Sequence, residues 1–394
     1  MQPSHAATQR VREWARVALQ FEAGVSASPI ATFVGSTNHA LAAIQRQRLV
    51  ELLDTHAVGL GLPEEISAPL SATRARTRRA VMVQMLELAA IGELLSDEGI
   101  DWMALKGPTL AMQSAGDPSA RGCGDIDLLV APESVEAAYL LLIRSGWVVR
   151  PVGSARPDSW AWRHILSTFN EMTFDGRHST VDLHWRLDPT HGALPGFAEV
   201  WGRRSTVDVG GTKVETLGIA DSFSHACHHA AKDDWRWLRS LVDVHRLARL
   251  QDFSGGIARI DVTSLAATEV CIGLPATIPD DVKRQVAASV ERSGRKAIAA
   301  QDRPVFAEFP FPAAQSIRDL RYRVRASRSP SDLERTAVAA IIPAKAVAEL
   351  DDRSAWTAIP RVFARRVAWL LRRTVGWMRR SPGASVVQRT SEHR

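Results

Sequence analysis

The chain has 394 residues, 45% hydrophobic and 23% charged, with a formal net charge of +6. That is the balance of a globular protein with room for two or three compact units, not of a disordered chain. No run of about 18 uncharged apolar residues is present, which argues against a spanning helix. The N-terminus "MQPSHAATQRVREWARVALQ" has no apolar signal segment, and Cys123, Cys227 and Cys271 are too few and too scattered for a disulfide framework or a zinc set, so a cytoplasmic protein is expected.

The first hundred residues read as helical, through "RVREWARVALQ" and then "TRARTRRAVMVQMLELAAIGELLSDEGI", which Gly99 would cap. "DWMALK" follows as a short strand, and "GPTLAMQSA" as a helix with Pro108 in its first turn, where a missing N–H costs nothing. A turn-rich loop, "GDPSARGCG", leads into the strand "DIDLLV". A helix from about Glu133 to Arg144 and a strand "WVVRPV" come next. "HILSTFNEMTF" and "STVDLHWRL" flank the turn "DGRH" as a hairpin, and "STVDVGGTKVET" forms a second hairpin turning at Gly210 and Gly211. From Ile219 onward the pattern is helical again.

In "DIDLLV", strand alternation puts Asp125 and Asp127 on one face and Ile126 and Leu128 on the other. Two such carboxylates repel and are costly to desolvate unless a cation lies between them, so a divalent metal, Mg2+ or Mn2+, is implied. Capping or solvated loop acids are the plain alternative. A third carboxylate is available in "TVDLHW", where Asp182 shares a face with Thr180 and His184. Upstream, "LKGPTL" ends a strand at Lys106 and starts a helix after Gly107, the kind of helix entry that favours an anion. Lys106 and Arg121 could add positive charge there, unless both are ordinary exposed cations.

The turn, the loop, "DIDLLV" and "VDLHW" together resemble the nucleotidyltransferases of the DNA polymerase beta superfamily, in its poorly characterised bacterial branch. The resemblance spans about residues 80 to 250. It implies that Asp125, Asp127 and Asp182 hold metal ions, that Asp182 helps activate an acceptor hydroxyl, and that Gly107 borders the triphosphate. The superfamily's Gly-Ser is Gly107-Pro108 here, so Thr109 or Ser119 would have to supply the missing hydroxyl to phosphate. His184 would orient Asp182 or contact substrate.

His225 and His229 have helical i, i+4 spacing, but the acid of a metalloprotease HExxH is absent, so packing near the nucleotide site is the plainer reading. In similar sequences a His, Trp and Asp pattern occurs in this region, matching His229, Trp235 and Asp243, which makes His229 a candidate substrate contact. Cys227 reads as a small buried residue. At the far end, "RVFARRVAWLLRRTVGWMRR" repeats arginine pairs at a spacing of seven, opposite a stripe containing Phe363, Val367 and Leu370. Residues 356–394 carry nine arginines and one acid, so the basic excess is local. Residues 356–380 would suit an anionic membrane surface, at the inner face of the membrane, or RNA or an acidic partner protein, or dock on the enzyme body.

The expected fold class is α+β: a small mixed β-sheet nucleotidyltransferase core flanked by helical regions. The expected divisions are 1–79 (helical), 80–218 (core), 219–350 (helical) and 351–394 (basic helix and tail). The expected function is metal-dependent transfer of a nucleoside monophosphate from a nucleoside triphosphate such as ATP to a small-molecule, saccharide or protein hydroxyl, with pyrophosphate released. The alternatives are a DxD glycosyltransferase, which requires neither the Lys-Gly helix entry nor Asp182, and a non-catalytic nucleotide-binding or scaffolding module.

Overall fold

The computed structural model describes residues 4–26, 35–122, 124–151, 155–303, 312–343, 347, 360–365 and 368. Helices α1 (His5–Glu22), α2 (Thr37–Gln47), α3 (Val50–Thr55) and α4 (Glu64–Asp97) precede the first strand. The sheet region then runs β1 (Trp102–Ala104), α5 (Pro108–Ala115), β2 (Ile126–Val130), α6 (Val135–Arg144), β3 (Val148–Val149), α7 (Trp160–Thr168), β4 (Glu171–Asp175), β5 (Thr180–His184), α8 (Phe197–Trp201), β6 (Ser205–Val209) and β7 (Thr212–Thr216). Helices follow: α9 (Ile219–Lys232), α10 (Leu238–Leu250), α11 (Arg259–Ile272), α12 (Asp280–Ala287), α13 (Val290–Gln301), α14 (Pro312–Ala326) and α15 (Pro330–Ile341). The fold is α+β, as expected.

Among the described residues there is one seven-stranded mixed sheet, in the order β3-β4-β5-β2-β1-β7-β6. β2 pairs with β5 and β1 with β7 in parallel, and the other pairs are antiparallel. One sheet face, carrying Ile126, Leu128, Val181, Leu183, Met172 and Phe174, is covered by α4, α6 and α7. That burial is what holds the register, because a slip of one residue would turn this apolar set to the opposite face.

The helices before and after the sheet share a second core, in which Trp14 and Leu53 pack with Cys227, Leu241 and Leu265. Cys227 is fully buried there, and burial pushes its thiol well above the ordinary range. Helix α4 joins the two cores. Ile66 and Leu70 at its start belong to the helical core, while Leu88, Ile91 and Leu95 at its end belong to the sheet core. Anchored by Ile66 and Leu70, α4 starts nine residues earlier than "TRARTRRAV" suggests, with Glu64 and Glu65 in its first turn complementing the helix dipole, and the division expected at 79/80 falls inside it. Gly92 lets α4 approach β1: a Cβ there would lie 2.2 Å from the Trp102 ring.

Three local expectations need correction. "HILST" is helical within α7, because the Ser159 hydroxyl caps it by accepting from Trp162 N–H, and Ala161, Trp162 and Ile165 bury one helical face. "WVVRPV" shrinks to Val148–Val149 on the sheet edge. Asp125 precedes β2 instead of lying on it. The Gln84 side chain donates to the carbonyls of Gly124 (2.7 Å) and Asp125 (3.0 Å), occupying acceptors that a strand neighbour would use.

Of the basic segment at 356–380, only 360–365 and 368 are described; Val362 is buried against Trp160 and Ile342. The rest of the arginine stripe and its proposed membrane face lie outside the described residues. No helix among the described residues is long and apolar enough to cross a membrane.

Candidate functional site

Lys106 and Gly107 form the corner between β1 and α5. Gly107 sits at the helix N-cap with φ 65° and ψ −134°, a conformation that a side chain disfavours even though a Cβ there would meet Gln84 and Asp125 only at ordinary contact distances of 3.8–3.9 Å. Pro108 follows at the first helical position. The corner is tied down by Leu105 N–H donating to the Asp127 carbonyl at 3.0 Å and by the Thr109 hydroxyl donating to the Lys106 carbonyl at 2.8 Å.

The corner faces the polar side of the sheet. Parallel pairing sets Asp127 opposite Asp182 and Leu129 opposite His184. Antiparallel pairing on the other side of β5 sets Thr173 opposite Asp182 and Glu171 opposite His184. Asp127, Asp182 and Thr173 therefore form one row across three strands, with His184 and Glu171 in the next row on the same face. The Lys106 ammonium donates to Asp127 Oδ1 at 2.9 Å, and His184 Nε2 lies 3.2 Å from the same oxygen. The Thr173 hydroxyl donates to Asp182 Oδ1 at 2.6 Å. The other nitrogen of His184, Nδ1, is 3.2 Å from Glu171 Oε2, to which the Asn170 amide donates at 3.1 Å. One donor atom each from Asp127, Asp182 and His184 lies within 4.8 Å of the others, a spacing that could hold a metal ion.

The acids titrate very differently. Burial pushes the Asp127 carboxyl up, but Lys106 and His184 outweigh it and hold the group well below the usual range. Burial raises Asp182 to about 6, with the Thr173 hydrogen bond only partly opposing it. Asp125 is raised too, by burial and then by the negative charge of Asp127, although Lys106 and Arg150 oppose this. Glu171 is pushed up by burial yet ends below its ordinary value because of His184, Lys232 and Lys106.

A stability prediction follows from Asp182. Its folded value lies above the usual 3.8, so its favourable contribution is present below about pH 4 and is lost as pH rises through about 6. With metal removed, Asp182→Asn should stabilise the protein by about 2–3 kcal/mol at pH 7.5 and by almost nothing at pH 4. Denaturant unfolding with chelator at both values checks this. A variant less stable than the parent at pH 7.5 contradicts it.

Helices α9 and α10 roof the corner, and Lys106, Arg121, His225, His229 and Asp243 line one recess. Burial and the nearby Lys106 charge hold both histidines well below their usual range, so each is neutral at pH 7. The Arg121 Nε donates to both Asp243 oxygens, at 3.0 and 2.9 Å, in a pair buried on both sides. The two hydroxyls expected to reach phosphate are engaged elsewhere. Thr109 is fully buried with its bond to Lys106, and the Ser119 hydroxyl donates to Asp117 at 2.7 Å in a turn of the loop.

Glu171, Thr173 and Asn170 were not singled out in the sequence. A signal existed: in "NEMTF", Glu171 and Thr173 alternate with apolar Met172 and Phe174, and pairing across "DGRH" brings them beside "DLH".

A family model described as an uncharacterised nucleotidyltransferase matches residues 36–266, a span that includes the polar sheet face and its α9–α10 roof. No curated protein and no solved structure matches the chain.

Proposed function

The chain belongs to the family of uncharacterised nucleotidyltransferases, and from that premise we propose that it moves a nucleoside monophosphate from a nucleoside triphosphate to an acceptor hydroxyl, using a divalent metal ion. The observation that carries the proposal is the pairing of Asp127 with Asp182 on adjacent parallel strands, with His184 beside them and the three donor atoms within 4.8 Å.

The residues fit a cation. Asp182 and Asp125 are both raised, as carboxyls are when crowded out of water and beside another acid, and a bound cation would relieve that cost. Asp127 and Asp182 would hold the ion, with Asp125 at the open edge. When bound, it would supply positive charge against the triphosphate and the developing charge of transfer.

The chain's own residues do the remaining work. Lys106, anchored on Asp127, and the N–H groups of α5 after Pro108 face the phosphate chain; Gly107 keeps the corner free of a side chain. Arg121, paired with Asp243, holds the loop before β2 against α10 behind the corner. Acceptor oxygen forms a bond to the α-phosphorus, the bond from that phosphorus to the α–β bridging oxygen breaks, and pyrophosphate departs with the electron pair. Asp182, opposite Asp127 at the ion, is the carboxylate we assign to take the hydroxyl proton. His229, which lines the recess with Lys106, is assigned a supporting contact to the substrate.

The test is to incubate the full chain with α-labelled and γ-labelled nucleoside triphosphates, Mg2+ or Mn2+, and cell extract as the acceptor source. Alpha label should pass to an acceptor as gamma label appears in pyrophosphate. Transfer of a sugar from a sugar nucleotide, or nucleotide binding with no turnover in any extract, would point to the two other readings.

A further inference from the structure

We infer that His184 is itself a metal ligand, oriented by Glu171, and that it turns this site toward Mn2+ over Mg2+. The inference rests on the metal reading above and goes further by naming a nitrogen ligand and the ion it selects.

His184 is only 2% exposed, and each of its ring nitrogens faces a carboxylate: Nδ1 is 3.2 Å from Glu171 Oε2, and Nε2 is 3.2 Å from Asp127 Oδ1. Two donors at right angles around an ion with bonds of about 2.1 Å sit about 3 Å apart, so the spacing of Nε2 and Asp127 Oδ1 already matches one edge of an octahedral shell. Asp182 supplies the third donor of the group.

Glu171 supplies what a ligating imidazole needs on its far side. A carboxylate beside Nδ1 favours the tautomer with its proton there and leaves the Nε2 lone pair for the metal, the arrangement found behind many metal-bound histidines. Glu171 is in turn held by the Asn170 amide at 3.1 Å, a shorter contact than the 3.4 Å from that amide to His184 Nδ1. Strand register makes the relay a consequence of the fold, since Glu171 and His184 are direct partners on β4 and β5.

The choice of ion follows from ligand chemistry. Mg2+ is hard, takes oxygen donors and keeps its waters, whereas imidazole suits ions of the first transition row. Exchanging one oxygen for a nitrogen therefore penalises Mg2+ more than Mn2+.

The experiment is pulsed electron paramagnetic resonance of Mn2+ bound to the full chain without nucleotide, together with titrations of Mn2+ and Mg2+. Bound Mn2+ should show nitrogen modulation from a directly coordinated imidazole, lost in His184→Gln and kept in His229→Gln. His184→Gln should weaken Mn2+ binding about 10- to 100-fold while changing Mg2+ binding less than about threefold, and Glu171→Gln should weaken Mn2+ about tenfold. The wild-type spectrum decides the point even if a variant does not fold. Bound Mn2+ that lacks nitrogen modulation, yet is lost in Asp127→Asn, overturns the histidine ligand and leaves the metal reading standing. Binding that Asp127→Asn does not weaken overturns both.

Discussion

Asp127→Asn is expected to lower nucleotidyl transfer by about 10^3-fold or more, the largest effect of any single change in this protein. Asp127 is where the site converges: Lys106 and His184 both contact its Oδ1, and Asp182 lies opposite it in register. Asparagine keeps the shape and removes the charge, so the cation loses a principal ligand and Lys106 loses its counter-ion. Side-chain exposures of 15% for Lys106 and 11% for Asp127 make that loss a stability effect as well, of about 1–3 kcal/mol. The two consequences separate in a double variant. Lys106→Met added to Asp127→Asn should recover most of the stability and none of the activity, measured by denaturant unfolding and by single-turnover product formation. A drop in rate of only a few-fold would remove Asp127 from the centre of the mechanism.

Arg121→Met is expected to cost about 3–5 kcal/mol of stability, because it leaves the Asp243 carboxylate buried without its partner. The pair has side-chain exposures of 8% and 5% and joins the loop before β2 to α10. Against a usual total of about 5–15 kcal/mol, this is enough to lower the unfolding midpoint well before any kinetic effect is read. Combining Arg121→Met with Asp243→Leu should return most of the loss, since a buried ion pair replaced on both sides by apolar groups is often close to neutral. An unchanged midpoint in Arg121→Met, with weakened nucleotide binding, would instead make Arg121 chiefly a phosphate ligand.

The difference between Asp125 and Asp127 shows how far a local pattern reaches. Alternation correctly separates Asp127 from Ile126 and Leu128, because side-chain direction along a strand is a property of neighbouring residues. It also places Asp125 on the strand, and there it fails: Gln84, 41 residues away in sequence, takes the Asp125 carbonyl, so the strand begins one residue later. The same contrast appears in α4. Its apolar period is visible from Val81 onward, but its extension back to Glu64 depends on Ile66 and Leu70 finding a core shared with α9 to α11.

From the sequence by itself came the α+β class, the Lys106-Gly107 corner, the Asp127 strand, the Asp182 strand with His184 on the same face, and the helices after Ile219. Each of these rests on period, on glycine or proline geometry, or on a short motif, all of which act over a few residues. The tertiary structure alone decided that Asp127 meets Asp182 in parallel register, that Glu171 stands behind His184, that Arg121 pairs with Asp243, and that the first and last helices share one core. Those contacts join residues from 13 to more than 200 positions apart, and they form because the apolar faces of the sheet and helices must be buried together, which no local spacing records.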